Sequence, residues 1–173
     1  MRRLTITLRY DLPLHLVLLL TNWLPDLIIF IRLRGYLASF FFKQCGKNLR
    51  LGRNITFYNP IKIVLGNDIY IAYGNWFSAG EKITVHDEVI IGPYNVFASS
   101  NHTKSNGSFR DGDAIEKPIV IGEGTWIGAH CTITAGCSIG AGCLVAANSS
   151  VVSTFKEDVM LAGVPAKIIK EIS

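Results

Sequence analysis

The chain has 173 residues, 49% of them apolar, and a formal net charge of +4, a length that suits one domain with a buried core plus an appendage. The charge is unevenly placed: residues 1–50 carry eight Lys and Arg against Asp11 and Asp26, a net of +6, and the remainder is net −2. No aromatic residues interleave with the basic ones in the manner of a strand-gripping surface, so nucleic acid is not the expected partner, and an anionic membrane surface fits better.

Residues 12–33, LPLHLVLLLTNWLPDLIIFIRL, are strongly apolar. A spanning helix needs about 20 uninterrupted apolar residues. Here Thr21-Asn22 and Pro25-Asp26 divide the run into pieces too short to cross alone, and Pro25 breaks or kinks any helix near Trp23-Leu24. Segment 1–47 is expected to form short helices on a membrane surface, with Arg2, Arg3, Arg9, Arg32 and Arg34 toward the headgroups. The competing reading packs these helices on the end of the next domain or on a partner subunit. No small-x-small site follows the run, so a cleaved signal peptide is not expected. A further apolar stretch up to Cys45 leads into the next element.

Residues 48–160 carry an internal repeat of six. Ile121, Ile127, Ile133, Ile139, Val145 and Val151 recur at that spacing, each followed by a mostly small residue, and Thr125, Cys131, Cys137, Cys143 and Ser149 stand four places after the first five. A coil of three flat six-residue sides accounts for the pattern. Each side points one aliphatic chain inward, and each corner has room only for a small inward group. Stacked coils then bury columns of Ile and Val, each contributing roughly 1.5–3 kcal/mol when fully buried. The expected fold is mainly β, a left-handed parallel β-helix with an N-terminal helical segment and a short C-terminal tail at 161–173. Upstream, Leu51 and Phe57, then Leu65, Ile71 and Phe77, then Val85, Ile91 and Phe97 keep the period between slips near Ile63–Leu65 and Glu81-Lys82.

Between Phe97 and Ile115 the period disappears into SSNHTKSNGSFRDGDA, expected as an extruded loop over 100–114. The four cysteines form no CxxC pair, which argues against a zinc knuckle or a thioredoxin-like site. Cys131, Cys137 and Cys143 fall on the corner positions of the repeat and read as corner fillers, and a reducing cytoplasm is the natural compartment.

Residues 63–172 resemble the hexapeptide-repeat acyltransferases, in particular the galactoside, maltose and capsular or exopolysaccharide O-acetyltransferases. The matching stretches are ITVHDEVIIGPYNVFASSNH (83–102), KPIVIGEGTWIGAHCTITAGCSIGAGCLVAANSSVV (117–152) and LAGVPAKIIKEI (161–172). The resemblance implies acetyl transfer from acetyl-CoA, as co-substrate, to a hydroxyl of a sugar or polysaccharide precursor. It also implies a homotrimer with acetyl-CoA between neighbouring subunits and no metal. His102 stands at the family's catalytic histidine, and an imidazole can take the proton of an attacking hydroxyl near neutral pH. The Ala129 N–H is implied as an oxyanion donor, Trp126 as a wall beside the pantetheine arm, Ala147 as a backbone contact to its amides, and Lys167 and Lys170 as partners of the CoA phosphates.

Some positions depart from the family pattern. Ala72 stands where galactoside-type relatives hold the acceptor with an asparagine, Thr154 where many have a lysine, and FKEDVML replaces a Pro-Pro before AGVPAK. The acceptor is therefore not carried over, and an amino-sugar N-acetyltransferase stays open. His86 and His130 read as solvent or interface groups. A γ-type carbonic anhydrase would need them as zinc ligands beside His102, out of phase with the repeat. A non-catalytic scaffold is opposed by the intact His102, WIGA and AGVPAK. None of the four histidines, His15 included, is followed five residues on by Asp, which disfavours the HxxxxD acyltransferases.

Overall fold

In the computed structural model, which describes residues 2–172, the six-residue period folds into three walls of short parallel strands, and the chain is a left-handed parallel β-helix. Wall A stacks Gln44–Cys45, Ile63–Leu65, Ile83–Val85, Ile119–Ile121 and Ser138–Ile139. Wall B stacks Arg50–Leu51, Tyr70–Ile71, Ile90–Ile91, Trp126–Ile127, Leu144–Val145 and Val159–Gly163. Wall C stacks Thr56–Tyr58, Trp76–Ser78, Val96–Ala98, Thr132–Thr134 and Ser150–Val151. Val159–Gly163 apart, the strands are two or three residues long because each side must give its remaining residues to a corner.

The inward columns are those the period predicts. Ile121, Ile127, Ile133, Ile139, Val145 and Val151 are each at most 1% exposed. Downstream, coils repeat every 18 residues, with Ile121 beside Ile139, Ile127 beside Val145 and Ile133 beside Val151. Upstream they repeat every 20, with Leu51 beside Ile71 and Phe57 beside Phe77. The two sequence slips are therefore extra residues at the corner from wall C to wall A, where Asn59 takes a left-handed φ of 54° and Pro60–Lys62 forms a 3-10 turn. The wider coils hold a ladder of Phe42, Phe57, Phe77 and Phe97, with successive ring centroids 4.9, 4.9 and 4.4 Å apart.

Small corner residues close their own hydrogen bonds. Thr125 Oγ1 donates to Gly140 O at 2.9 Å, and Ser149 Oγ to Ala146 O at 2.6 Å. The thiols of Cys131, Cys137 and Cys143 point at carbonyls of the coil above, 3.1–3.2 Å away. All four cysteines are free. Burial pushes the Cys45 thiol up to about 11 and raises those of Cys131 and Cys143.

Both ends of the solenoid differ from expectation. The first coil starts at Gln44, which already pairs with Val64, rather than at 48. The stretch 161–173 is not a free tail: Val159–Gly163 is the last strand of wall B, and Ala166–Glu171 folds back antiparallel on it. The expected loop begins as a ribbon, since Ser100–His102 pairs antiparallel with Ala114–Glu116. Each correction has one cause: a terminal or extruded segment satisfies its backbone by pairing wherever a strand edge is offered.

The N-terminal segment forms α1 (Arg2–Ile6), a π-helical turn (Thr7–Asp11), α2 (Leu12–Thr21) and, after a turn at Asn22–Leu27, α3 (Ile28–Ser39). Leu14 is 2% exposed and joins the solenoid core with Phe42, so α2 closes the open first coil. Gly35 permits close contact for α3, because a Cβ there would lie 1.9 Å from Leu49 O. Arg34, expected at the headgroups, is instead 1% exposed. Its guanidinium donates to Leu51 O, Thr21 O and Leu24 O at 2.6–3.1 Å and to the Asp26 carboxylate at 3.1 Å. The carbonyls left over where α2 ends need donors, and Arg34 supplies them. Burial pushes its pKa down, and Asp26 opposes that shift. Arg9 and Arg32 are exposed, and the side chains of Arg2 and Arg3 lie outside what the structure describes.

Phe77→Ala, in the middle of the aromatic ladder, is expected to cost about 3–5 kcal/mol of stability in chemical denaturation. A loss below about 1 kcal/mol would show that the ladder repacks freely. Ellman's reagent is expected to find no fast-reacting thiol in the folded protein and all four after unfolding; a fast native thiol would contradict the corner packing.

Candidate functional site

Wall B carries the groove. In each of its strands the inward residue is preceded by one that must face out, so the outward row runs Tyr70, Ile90, Trp126, Leu144, Met160 in register. Lys170 pairs with Met160 at the end of this row, three interstrand steps from Trp126, or roughly 14 Å. Lys167 pairs with Ala162 on the same strand and is likewise exposed. A groove of about 540 Å³ lies on this face, lined by Tyr70, Tyr73, Ile90, Trp126 and Ala129, with Asp26 from the turn between α2 and α3. Trp126 is 52% exposed.

Ala129 sits on the corner from wall B to wall C. Its carbonyl accepts from Asn148 N at 2.9 Å. Its own N–H, like that of Ala147 one coil further on, has no hydrogen-bond acceptor among the described residues. Both belong to corners that stack on the neighbouring coils. The corner is fixed from inside by two buried asparagines. Asn75 Nδ2 donates to Ala72 O and Gly92 O at 2.7 and 2.9 Å; Asn95 N donates to Asn75 Oδ1 at 3.0 Å. Asn95 Nδ2 then donates to Gly92 O, and Asn95 Oδ1 accepts from Cys131 N, both at 2.7 Å.

His102 is exposed at the end of the strand Ser100–His102, opposite Ala114. The ribbon is rooted by Ser99, which is 0% exposed: its Oγ donates to Glu81 O at 2.7 Å and accepts from Glu81 N at 2.9 Å. Thr103 donates from both N and Oγ1 to Asp113 O, which holds the two strands together past His102. The ribbon leaves at the corner from wall C to wall A. Ala129 lies at the opposite edge of wall C, so one chain gathers Trp126, Ala129 and Ala147 on one side and His102 on the other.

Asp26 and the asparagine pair are the groove and corner residues that pattern reading missed. The asparagines were detectable, standing 20 residues apart in the corner column that continues with Cys131 and Ser149. Asp26 had no such signal, since it reaches the groove from a turn outside the repeat. His86 follows wall A, and His130 stacks on Tyr94 with centroids 5.1 Å apart. Among the described residues no three metal-ligating side chains gather.

Residues 118–152 match the family described as bacterial transferase hexapeptide (six repeats). The chain is 30% identical over 128 residues to galactoside O-acetyltransferase of Escherichia coli, a match covering 74% of this chain and 56% of that enzyme, so the chain spans little more than half of it. It is 34% identical over 131 residues to a putative acetyltransferase of Dictyostelium discoideum, covering 76% of this chain and 69% of the relative. Among solved structures, a hexapeptide-repeat acetyltransferase of Vibrio cholerae complexed with acetyl-CoA superposes with a TM-score of 0.81 at 28% identity, covering 93% of this chain and 86% of the other.

A Cβ added at Gly92 would lie 2.9 Å from Gly128 backbone atoms and 3.1 Å from Ala129 N. Gly92→Ala is therefore expected to lower stability by about 1–3 kcal/mol in thermal or chemical unfolding. Wild-type stability in that variant would show slack beneath the Ala129 amide.

Proposed function

We propose that this chain, which belongs to the hexapeptide-repeat acetyltransferases, transfers an acetyl group from acetyl-CoA to a hydroxyl of a sugar or polysaccharide precursor, within a homotrimer. The observation that carries this reading is the division of the site across wall C. His102 stands at one edge, and the free N–H groups of Ala129 and Ala147 stand at the other. Tyr58, Trp76 and Val96 on that wall are 37–49% exposed. Copies related by a threefold axis and packed through wall C bring the His102 edge of one to the Ala129 edge of the next.

In that cleft His102 takes the proton of the acceptor hydroxyl as its oxygen attacks the thioester carbonyl carbon. The Ala129 N–H donates to the oxygen on which negative charge develops, a contribution of about 3 kcal/mol for one fixed donor. As the C–S bond breaks, the protonated imidazole returns its proton to the departing sulfur. The thioester is already activated, so direct transfer needs no covalent enzyme intermediate. Trp126 walls the pantetheine arm, the Ala147 N–H meets one of its amides, and Lys167 and Lys170 face the CoA phosphates beyond Met160. The four unpaired thiols suit a reducing cytoplasm.

The test is acetyl-CoA turnover against a panel of sugars and oligosaccharides. His102→Ala is expected to lower turnover at least about 100-fold while the thermal shift produced by CoA persists. Trp126→Ala is expected to raise the KM for acetyl-CoA more than it lowers kcat, and sedimentation is expected to give three chains per particle. Near-normal turnover in His102→Ala would remove the imidazole from the reaction, and a monomer with full activity would remove the shared cleft.

A further inference from the structure

Thirteen of the 25 exposed large apolar side chains lie within residues 4–40, so the uncovered apolar surface is concentrated on the helical cap. Along α1, the π-helical turn and α2, Leu4, Leu8, Leu12, Leu16 and Leu19 follow one another three or four residues apart and are 46–66% exposed, and Trp23, 77% exposed, continues the row in the turn beyond α2. That spacing is one face of a helix. Leu14 and Thr21, on the other face, are buried. On α3 the same division recurs: Ile28, Ile29, Leu33 and Tyr36 are exposed, while Ile31, Arg34, Gly35 and Ala38 are buried on the coil.

Charge selects what covers this surface. Residues 1–50 are net +6 and the rest of the chain is net −2, so a second copy docking cap to cap would set like charges against each other. Arg9, Arg32, Lys43 and Lys47 are exposed and form no ion pair among the described residues. Arg32 and Lys47 share a cleft of about 650 Å³ with Tyr36 and Phe40, the pairing of basic and aromatic side chains that sits at headgroup level. Leu4–Thr21 is long and apolar enough to cross a bilayer by length and composition. Its inner face is already committed to the first coil through Leu14, and Arg9 and Asp11 lie in mid-stretch. A helix so held lies in the interface plane.

We propose that the helical cap docks on an anionic lipid bilayer, its leucine and Trp23 stripe at the acyl boundary and Arg9, Arg32, Lys43 and Lys47 among the phosphates. The turn that carries Trp23 outward also supplies Asp26 to the groove, so docking sets that end of the groove beside the headgroups. In the threefold assembly proposed above the three caps face the same way, and their lipid contacts reinforce one another.

The test is vesicle flotation of the full chain, without acetyl-CoA, so its outcome does not depend on catalysis. Binding is expected to vesicles of phosphatidylglycerol mixed with phosphatidylcholine, weaker binding to phosphatidylcholine alone, and release by high salt. Replacing Arg9 or Arg32 by Gln is expected to weaken partitioning roughly fivefold each. Trp23→Glu combined with Ile29→Glu is expected to weaken it at least about tenfold. All four side chains are exposed, so unchanged circular dichroism and melting of each variant separate lipid contact from folding. The proposal is overturned by no preference for anionic vesicles or by wild-type partitioning of the Glu variant. It is overturned equally by release only in detergent, which marks a spanning helix. Lipid-free association beyond three chains that Trp23→Glu abolishes would assign the surface to a second copy instead.

Discussion

The structure depends on one constraint: the hydrogen bonds of each coil go to the coils above and below, so every coil must stand in register on its neighbour. A strand of wall A, B or C has no partner within its own turn. Register then requires the inward side chains to form continuous columns. Downstream the corners hold the small or self-satisfied Thr125, Cys131, Cys137, Cys143 and Ser149, whereas the wider upstream coils take Leu49, Ile69 and Val89 in the column of Thr125. The six-residue period in the sequence is this requirement written out. The same requirement holds the amides of Ala129 and Ala147 rigid, because their coils cannot shift without breaking the bonds to the next. A fixed, unpaired N–H is what electrostatic stabilisation of a developing oxyanion calls for, since it needs no reorganisation when charge appears.

Register also creates a problem at each end, where a coil has a neighbour on one side only. The C-terminal end is closed by the hairpin of Val159–Gly163 and Ala166–Glu171. The N-terminal end is closed by α2, with Leu14 entering the core above Phe42 and the phenylalanine ladder. Arg34 fastens that closure. It joins the last carbonyls of α2 to Leu51 O in the first coil and is held by Asp26, which in turn meets Arg53 at 3.5 Å. Arg34 is the buried member of this set, and removing a partner leaves its charge less compensated, which destabilises the closure. Asp26 belongs at once to this closure and to the groove on wall B, so the cap and the site are mechanically one.

The parts legible in the sequence are those that repeat. From Ile121 onward the columns, the corner residues and the role of the cysteines follow from spacing alone. The 20-residue coils upstream looked like slips, because two extra residues at a corner break a period of six without disturbing the stack. Asn75 and Asn95 keep the offset of the downstream corner residues, four places after Ile71 and Ile91, and differ from them only in carrying an amide. Arg34 was assigned to the surface because its neighbours in sequence are apolar and its own charge suggested water. The carbonyls of Thr21, which also accepts from Leu24 N, and of Leu24, which draw it inward, are brought together only once α2 has ended and the chain has turned. The ribbon that carries His102 reads as a loop, since its two three-residue strands, Ser-Asn-His and Ala-Ile-Glu, fall outside the six-residue period.

A solenoid of flat walls has little concavity of its own, and this bears on where chemistry can be done. The groove on wall B is open and mostly apolar, and the corner that carries Ala129 lines it. The one imidazole on an extruded ribbon stands a full wall away. Within a single chain wall C separates the corner that carries His102 from the corner that carries Ala129. Two copies laid against one another through wall C convert its two edges into the two sides of a cleft. In the proposed assembly the base then comes from one copy and the oxyanion donors from the other. The insertion of Ser99 to Glu116 is the device that makes this possible: without it the corner from wall C to wall A would be as small as the others, and nothing would reach across.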